Sequence, residues 1–258
     1  MIDIHTHILP GIDDGAQDIY DSIEMAALAY ENGTRVIVAT PHCNIPGLYD
    51  NYFGEEYTRL FRDTKKILRK EVPGITLLAG METFATEEMP RLLSEGKIFP
   101  INRTRYVLME FDFREDLGFA DRMLKQVRQV RGIPVVAHAE RYEFVQDDPE
   151  IVYRWKQAGC EIQVNKGSFM GRFGRRARET AYALLNHNLV SAVASDAHSP
   201  IQRTTCMADA YDDLLGGYPR EYLDVLFDTN PLRICNGEKT VQFRKIPFRE
   251  VYGWKEKA

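Results

Sequence analysis

Residues 133–164 read IPVVAHAERYEFVQDDPEIVYRWKQAGCEIQV. The apolar run from Ile133 to Ala137 has the length of a buried strand. Ile151 to Ala158 follows with apolar residues at helical spacing, and Glu161 to Val164 is a second buried run. A strand, a helix and a strand in that order form a crossover unit, which sets the two strands parallel. The alternation continues in both directions. Towards the N-terminus lie strands at Ile2 to His5, Arg35 to Thr40, Ile75 to Ala79 and Tyr106 to Met109. Helical patterns separate them at Ile19 to Tyr30 (stopped by Asn32-Gly33), along Phe53, Tyr57, Leu60, Phe61, Thr64 and Leu68, and at Phe119 to Val130. Towards the C-terminus come a helix at Ala177 to Asn186, a strand at Val190 to Ala194, and helical segments near 205–215 and 219–227. No linker-like stretch interrupts the seven strands, and no GxGxxG follows any of them, against a dinucleotide-binding sheet. The pattern predicts an α/β chain with a closed, barrel-like parallel sheet, as a single domain over residues 1–258. A divergent basic tail begins at about residue 239: its 20 residues hold six Lys/Arg and two Glu. There Val241 and Phe243 alternate with polar neighbours, as in an edge strand.

Hydrophobic residues make up 44% of the 258 and charged residues 28%, which excludes a disordered chain or a fibre. With 33 Lys+Arg against 38 Asp+Glu the net charge is −5, so no bulk attraction draws the chain to nucleic acid or anionic lipid. MIDIHTHILPG lacks the basic and apolar segments of a signal peptide, and no stretch approaches the ~20 apolar residues of a membrane span. Four cysteines, at 43, 160, 206 and 235, form no CxxC pair. These features predict a reduced, cytoplasmic protein without membrane insertion or a nucleic-acid partner. Oligomeric state leaves no mark in the sequence.

Five of the six histidines fall at predicted strand ends: His5 and His7, His42, His138 and His198. Glu82, Glu110 and Asp196 also end strands, and Asp13-Asp14 sits on the loop after the first. Residues two apart on a strand share a face, so His5 and His7 can grip one ion, and Asp196 with His198 repeats the device. Each piece has an ordinary reading alone, such as a turn at Asp13-Asp14-Gly15 or a helix cap at Asp196. Their meeting at the C-terminal ends of barrel strands points to catalysis. With Asp14 included, five imidazoles and four carboxylates suffice for two or three divalent ions. His187, within LLNHNL, is expected to be an ordinary packing or surface histidine.

Three such ions would leave the site net positive and receptive to phosphate. Arg141 and Arg203 lie on rim loops beside ligand positions and can hold phosphate bidentately. Phe84, Phe111, Phe113 and Tyr142 adjoin ligand positions and could line a phenyl pocket, though barrel-end packing is their commoner use. No cysteine begins a Cys-x5-Arg motif and no Asp-x-Asp occurs, so neither covalent route to phosphate hydrolysis is available.

The segments MIDIHTH, IDDG, TPH, AGMET, LMEF, HAERY, QVN, ASDAH and Asn230-Pro231 resemble, in order, those of the PHP (polymerase and histidinol phosphatase) superfamily. More narrowly, the chain resembles the metal-dependent bacterial protein-tyrosine phosphatases of capsule and exopolysaccharide loci. The resemblance implies a distorted (β/α)7 barrel of TIM-like form and three divalent ions, manganese first, with Fe, Co or Zn as alternatives. It implies that His5, His7, Glu82 and Asp196 hold one ion, that Glu82 bridges to a second held with Glu110 and His138, and that Asp14, His42 and His198 hold the third. Arg141 and Arg203 match phosphate-contacting arginines. A metal-bridging hydroxide would attack phosphorus, and Asp13 or a metal-bound water would supply a proton to the leaving group. The implied partner is a phosphotyrosyl protein, a bacterial tyrosine kinase of polysaccharide export. A histidinol-phosphatase-like small-molecule phosphomonoesterase and a non-catalytic metal-binding module are the alternatives. The loop 43–54 and the basic tail depart from the family's pattern.

Overall fold

The computed structural model describes residues 1–248. Its strands are β1 (Ile2–Thr6), β2 (Val36–Ala39), β3 (His42–Cys43), β4 (Thr76–Ala79), β5 (Glu82–Phe84), β6 (Tyr106–Glu110), β7 (Ile133–Val136), β8 (Glu161–Asn165) and β9 (Ala192–Ala194). They form a three-stranded sheet β1-β2-β4 and a six-stranded sheet β3-β5-β6-β7-β8-β9, parallel throughout. Every residue of β1 and β8 is buried, as expected for parallel strands covered on both faces.

Two expected strands, Arg35 to Thr40 and Ile75 to Ala79, are each followed by a short further strand. The chain leaves β2 through Thr40-Pro41 and resumes as β3; it leaves β4 through Gly80-Met81 and resumes as β5. Proline has no N–H for a ladder, and a Cβ at position 80 would come within 3.0 Å of the Val38 side chain, a close approach that glycine permits, so both breaks have a local cause. The breaks divide one expected sheet into two. Glu82 therefore opens a strand instead of ending one. The sheet curls until its far edge returns to β1: Thr6 bridges Ala197, Asp196 N–H donates to His5 O at 2.9 Å, and His7 N–H donates to Ala197 O at 2.9 Å. The fold is thus a curled parallel sheet wrapped by helices.

The helices before β8 are α1 (Ile19–Glu31), α2 (Glu55–Glu71), α3 (Met89–Ser94), α4 (Leu117–Gln129), α5 (Glu143–Asp147) and α6 (Glu150–Gln157). After β8 come α7 (Lys166–Phe169), α8 (Arg175–Asn186), α9 (Ala208–Leu215), α10 (Arg220–Asp224) and α11 (Asn230–Asn236). Asp18 caps α1 by accepting from Tyr20 N–H and Asp21 N–H, and Gly33, at φ +86°, turns the chain out of it. A π-helical turn, Val225–Thr229, joins α10 to α11, so the expected segment 219–227 is only the first part of a longer helical region.

The edge strand expected at Val241 and Phe243 does not form; residues 239–247 are irregular. Their partners are side chains and a helix end, which lack the regular backbone spacing of a strand. Val241 exchanges hydrogen bonds with Asn230, Thr240 Oγ1 donates to Glu161 at 2.6 Å, and Ile246 N–H donates to His187 O. His187 is not within a helix but caps α8. It is buried, donates from Nδ1 to Ile246 O at 2.7 Å and stacks on Phe248. The rest of the expected tail, residues 249–258, lies outside the described residues.

Candidate metal centre

All nine expected donors converge at one end of the sheet. β1 brings His5 and His7 follows it directly, β3 brings His42, β5 brings Glu82 and β6 brings Glu110. His138 follows β7, and Asp196 and His198 follow β9. His138 and Asp196 adopt positive φ, 33° and 51°, a strained backbone for non-glycine residues of the kind that gathers at functional sites.

Glu82 is central: its Oε1 lies 3.1 Å from His5 Nε2 and 2.9 Å from His138 Nε2, and its Oε2 lies 3.2 Å from His7 Nε2 and 3.1 Å from His42 Nδ1. Asp14 Oδ1 is 3.4 Å from Nε2 of both His42 and His198. Three donor groups each lie within 4.8 Å: His5, His7 and Asp196; His7, Asp14, His42 and His198; and His42, Glu82 and Glu110. All three groupings differ from the expected ones: Glu82 is absent from the first, His7 joins the second, and His42 stands where His138 was expected in the last, because His42 presents Nδ1 to Glu82 and Nε2 to Asp14. His138 nevertheless stands 3.5 Å from Glu110.

The donor chemistry fits divalent cations. His7 Nδ1 donates to Asp13 Oδ2 at 2.7 Å. His5 Nδ1 donates to Gln163 Oε1 at 3.0 Å; this oxygen also accepts from His138 N–H, which fixes the amide's orientation. In a neutral ring each Nε2 is then a lone pair. The two Nε2 atoms face each other at 3.3 Å, with the carboxylates of Glu82 and Asp196 beside them. Converging lone pairs and carboxylates repel unless a cation lies among them. The buried Nδ1 atoms of His42 and His138 also lack hydrogen-bond partners.

The closeness of these groups also shifts their ionisation. Burial alone would push the carboxyls of Glu82 and Asp196 up, yet the imidazoles around them, led by His5, hold both well below the usual range. Burial lowers His138, but Glu110 and Glu82 outweigh it and raise the ring to about 9. Burial and the neighbouring His7 push His198 down.

The carboxylate of Asp13, the expected proton source with a metal-bound water as the alternative, is enclosed and accepts from His7 Nδ1, His42 N–H and Gly15 N–H. Burial pushes its pKa up, but these partners hold it below the ordinary value, which makes it a poor acid. Asp13 orients His7.

Arg141 and Arg203 both approach Asp196 Oδ2, and Arg203 Nε donates to Asp196 O at 3.2 Å. Arg141 lies between two aromatic faces, its guanidinium carbon 4.3 Å from the Phe113 centroid and 4.3 Å from that of Phe173. Of the four candidate ring contacts, Phe111 and Tyr142 are buried in the core and Phe84 is partly buried; Phe113 is exposed beside Arg141. Tyr49, stacked on His42 at 5.6 Å, stands on the loop 43–54.

Sequence reasoning gave no role to Phe173 or Tyr49, nor to Gln163 and Asn165 of the quoted QVN segment. Alternating residues of β8 supplied the available signal: Gln163 and Asn165 share a face of the strand that contributes no ligand. Asn165 Nδ2 donates to Asp196 Oδ2 at 2.7 Å, and Gln163 Nε2 donates to Asn165 Oδ1 at 2.8 Å. β8 thus holds in place His5 and Asp196, two of the candidate donors.

The cysteines are free, and burial raises the thiols of Cys43 and Cys235 to about 12 and that of Cys160 to about 11. Among the described residues no helix is long and apolar enough to cross a membrane.

A curled parallel α/β sheet that gathers imidazoles, carboxylates and arginines at one end has the architecture of a metal-dependent hydrolase. Residues 1–236 match the family model for capsular polysaccharide synthesis, CpsB/CapC, and the chain belongs to that family. It is 36% identical over 199 residues to the tyrosine-protein phosphatase YwqE of Bacillus subtilis (strain 168), covering 77% of this chain and 78% of that protein. It is 29% identical over 239 residues to the tyrosine-protein phosphatase CpsB of Streptococcus pneumoniae, covering 91% of this chain and 98% of that one. A solved structure from crystallographic work on those two proteins, described as unique metal-dependent tyrosine phosphatases, matches with a TM-score of 0.89 and 33% identity. The match covers 96% of this chain and 99% of the other.

Proposed function

We propose that this protein is a metal-dependent protein-tyrosine phosphatase whose substrate is a phosphotyrosyl protein of capsule or exopolysaccharide synthesis, in particular a tyrosine kinase of polysaccharide export. The observation that carries the reading is the convergence of five imidazoles and four carboxylates beside two arginines, within a family whose relatives are named tyrosine phosphatases. The enzyme acts in the cytoplasm as one domain over residues 1–258, on a distorted (β/α)7 barrel.

The ligands proposed are His5, His7, Asp14, His42, Glu82, Glu110, His138, Asp196 and His198, for three divalent ions with manganese first. Bound there, the ions supply Lewis-acid chemistry, activating water and neutralising phosphoryl charge. The chain's own residues do the rest. Arg141 and Arg203 receive the phosphate oxygens and stabilise the charge that develops on them. Both arginines contact Asp196, so they reach the ligand shell itself. Phe113 and Phe173 flank the Arg141 guanidinium. Asp13 and Gln163 fix the tautomers of His7 and His5, keeping Nε2 of each free to ligate. A phenolate leaves readily, so no buried acid is required.

The test is hydrolysis of a phosphotyrosyl peptide before and after chelation. EDTA should abolish activity and Mn²⁺ should restore it, whereas thiol alkylation should leave it intact. Full activity in metal-free protein overturns the reading. A higher kcat/KM on histidinol phosphate than on the peptide moves the substrate class to small phosphomonoesters.

A further inference from the structure

From the loop after α7 into the first turn of α8 the chain reads GRFGRRAR over residues 171–178. Gly171 and Gly174 take φ of 75° and 89°, so the segment turns twice within four residues. Between them Phe173 points to the site: its ring lies 4.3 Å from the Arg141 guanidinium carbon and 5.8 Å from that of Arg203. The ring packs so closely on Gly167 that a Cβ there would come within 2.9 Å of it. The turn is therefore fixed against the proposed phosphate-holding arginines.

Beside this ring Arg172, Arg175, Arg176 and Arg178 are all exposed. Two of them open α8, where no acidic residue occupies the first turn and Gly174 makes no side-chain cap. The sequence thus places cations at the positive end of a helix dipole. α1 and α2 follow the ordinary rule, with Asp21 and with Glu55 and Glu56 in their first turns. A local rule broken in the open beside a site marks selection for something other than stability. The turn's ion pairs do not neutralise it firmly. Arg175 pairs with Glu179, Arg176 with Asp147, and Arg172 approaches Asp209 only to 3.8 Å, all with well-exposed guanidinium groups. Such pairs exchange readily for an incoming anion. Arg178, near the Tyr182 ring, has no carboxylate within ion-pair distance among the described residues.

We propose that the 171–178 turn is a docking surface for acidic side chains flanking the phosphotyrosine of a protein substrate. The proposal rests on the phosphotyrosine reading above and adds the part of the substrate that a small phosphomonoester lacks. Phe173 marks the boundary, with the phosphate on its Arg141 side and the flanking carboxylates on its Arg172, Arg175 and Arg178 side.

The test uses the metal-loaded enzyme and three peptides built on one phosphotyrosyl core, with glutamates, neutral residues or a second phosphotyrosine beside it. The glutamate peptide should show a lower KM than the neutral one, by roughly tenfold at low ionic strength and less as salt rises. In Arg175→Glu/Arg178→Glu that advantage should vanish, while p-nitrophenyl phosphate hydrolysis stays unchanged. The Tm should stay near the parent's, because the new carboxylates favour the start of α8 while Glu179 loses its Arg175 partner; Arg178→Gln should give an intermediate loss of the acidic preference. An acidic preference that survives the charge reversal overturns the docking surface. So does a preference confined to the doubly phosphorylated peptide. An enzyme that cleaves p-nitrophenyl phosphate but none of the three peptides refutes the phosphotyrosine reading instead.

Discussion

Replacing Gln163 by leucine should weaken the metal site without touching a ligand. Gln163 is fully buried on β8; it accepts from His5 Nδ1 at 3.0 Å and from His138 N–H at 2.9 Å, and donates to Asn165 Oδ1 at 2.8 Å. Leucine is of similar volume, so packing changes little, but two buried donors and one acceptor lose their partners. Each orphaned group costs about 1–3 kcal/mol before relaxation. Rotation of the His5 ring and a shift of Asn165 recover part of that, leaving about 3–5 kcal/mol. In a chain of this size a loss of that order lowers Tm by roughly 6–15 °C. The effect on metal is separate. Without Gln163, nothing holds the His5 ring with Nε2 towards Glu82, and losing such an outer partner typically costs about 10–100-fold in affinity. Calorimetric titration of chelator-stripped protein with Mn²⁺ reads the affinity, and thermal melts of the same sample read the stability. Gln163→Glu keeps an acceptor in the same place and should recover most of the affinity. Wild-type affinity in Gln163→Leu, or equal losses in the leucine and glutamate variants, would refute the account of β8 as the strand that orients the ligands.

Arg141→Ala and Arg203→Ala should retain their metal but lose on the order of 10²–10³ in kcat/KM on a phosphotyrosyl peptide, since each removes charge-assisted bonds that strengthen in the transition state. Near-normal rates with normal metal content remove both residues from the site. Glu82→Gln should lose metal and activity, because one carboxylate faces four imidazoles. His187→Gln should keep both and only loosen the segment around Ile246; equal metal loss in the two variants contradicts the assignment. Lys156→Met should cost about 3–5 kcal/mol, because it leaves the buried Glu161 carboxylate without its cation. The pH dependence of that cost has a definite sign. In the parent protein burial pushes Glu161 up, but Lys156, Ser191 and Thr240 hold its carboxyl below the ordinary value. Its contribution is therefore present above the unfolded pKa and lost as acid reaches the lowered one. In the variant only the Ser191 and Thr240 hydroxyls still oppose burial, so the penalty is largest near neutrality and fades once the carboxyl is protonated. The Tm gap should narrow between pH 7 and pH 4.5, and a constant gap rejects the charge explanation.

The run from Ile133 to Val164 already contained the strand–helix–strand alternation, because periods of 2 and 3.6 are local properties of a chain. It placed β7, α6 and β8 to within a few residues. The nine donors were legible for the same reason: a histidine or carboxylate at a strand's end is visible in one dimension. The breaks that separate β2 from β3 and β4 from β5 were less so, since Pro41 and Gly80 say only that a ladder weakens, not that a sheet divides. What tertiary structure alone decided is which ring nitrogen each imidazole turns inward. Asp13 reaches His7 from six residues away and Gln163 reaches His5 from 158, and neither contact has a period that a sequence could display. Thus Asp13, a plausible acid in the sequence, became an enclosed orienting carboxylate. The segment 171–178 was an ordinary basic stretch until folding set Phe173 against Arg141. Composition fixes what a side chain can do, but proximity across the curled sheet selects which of its atoms does it.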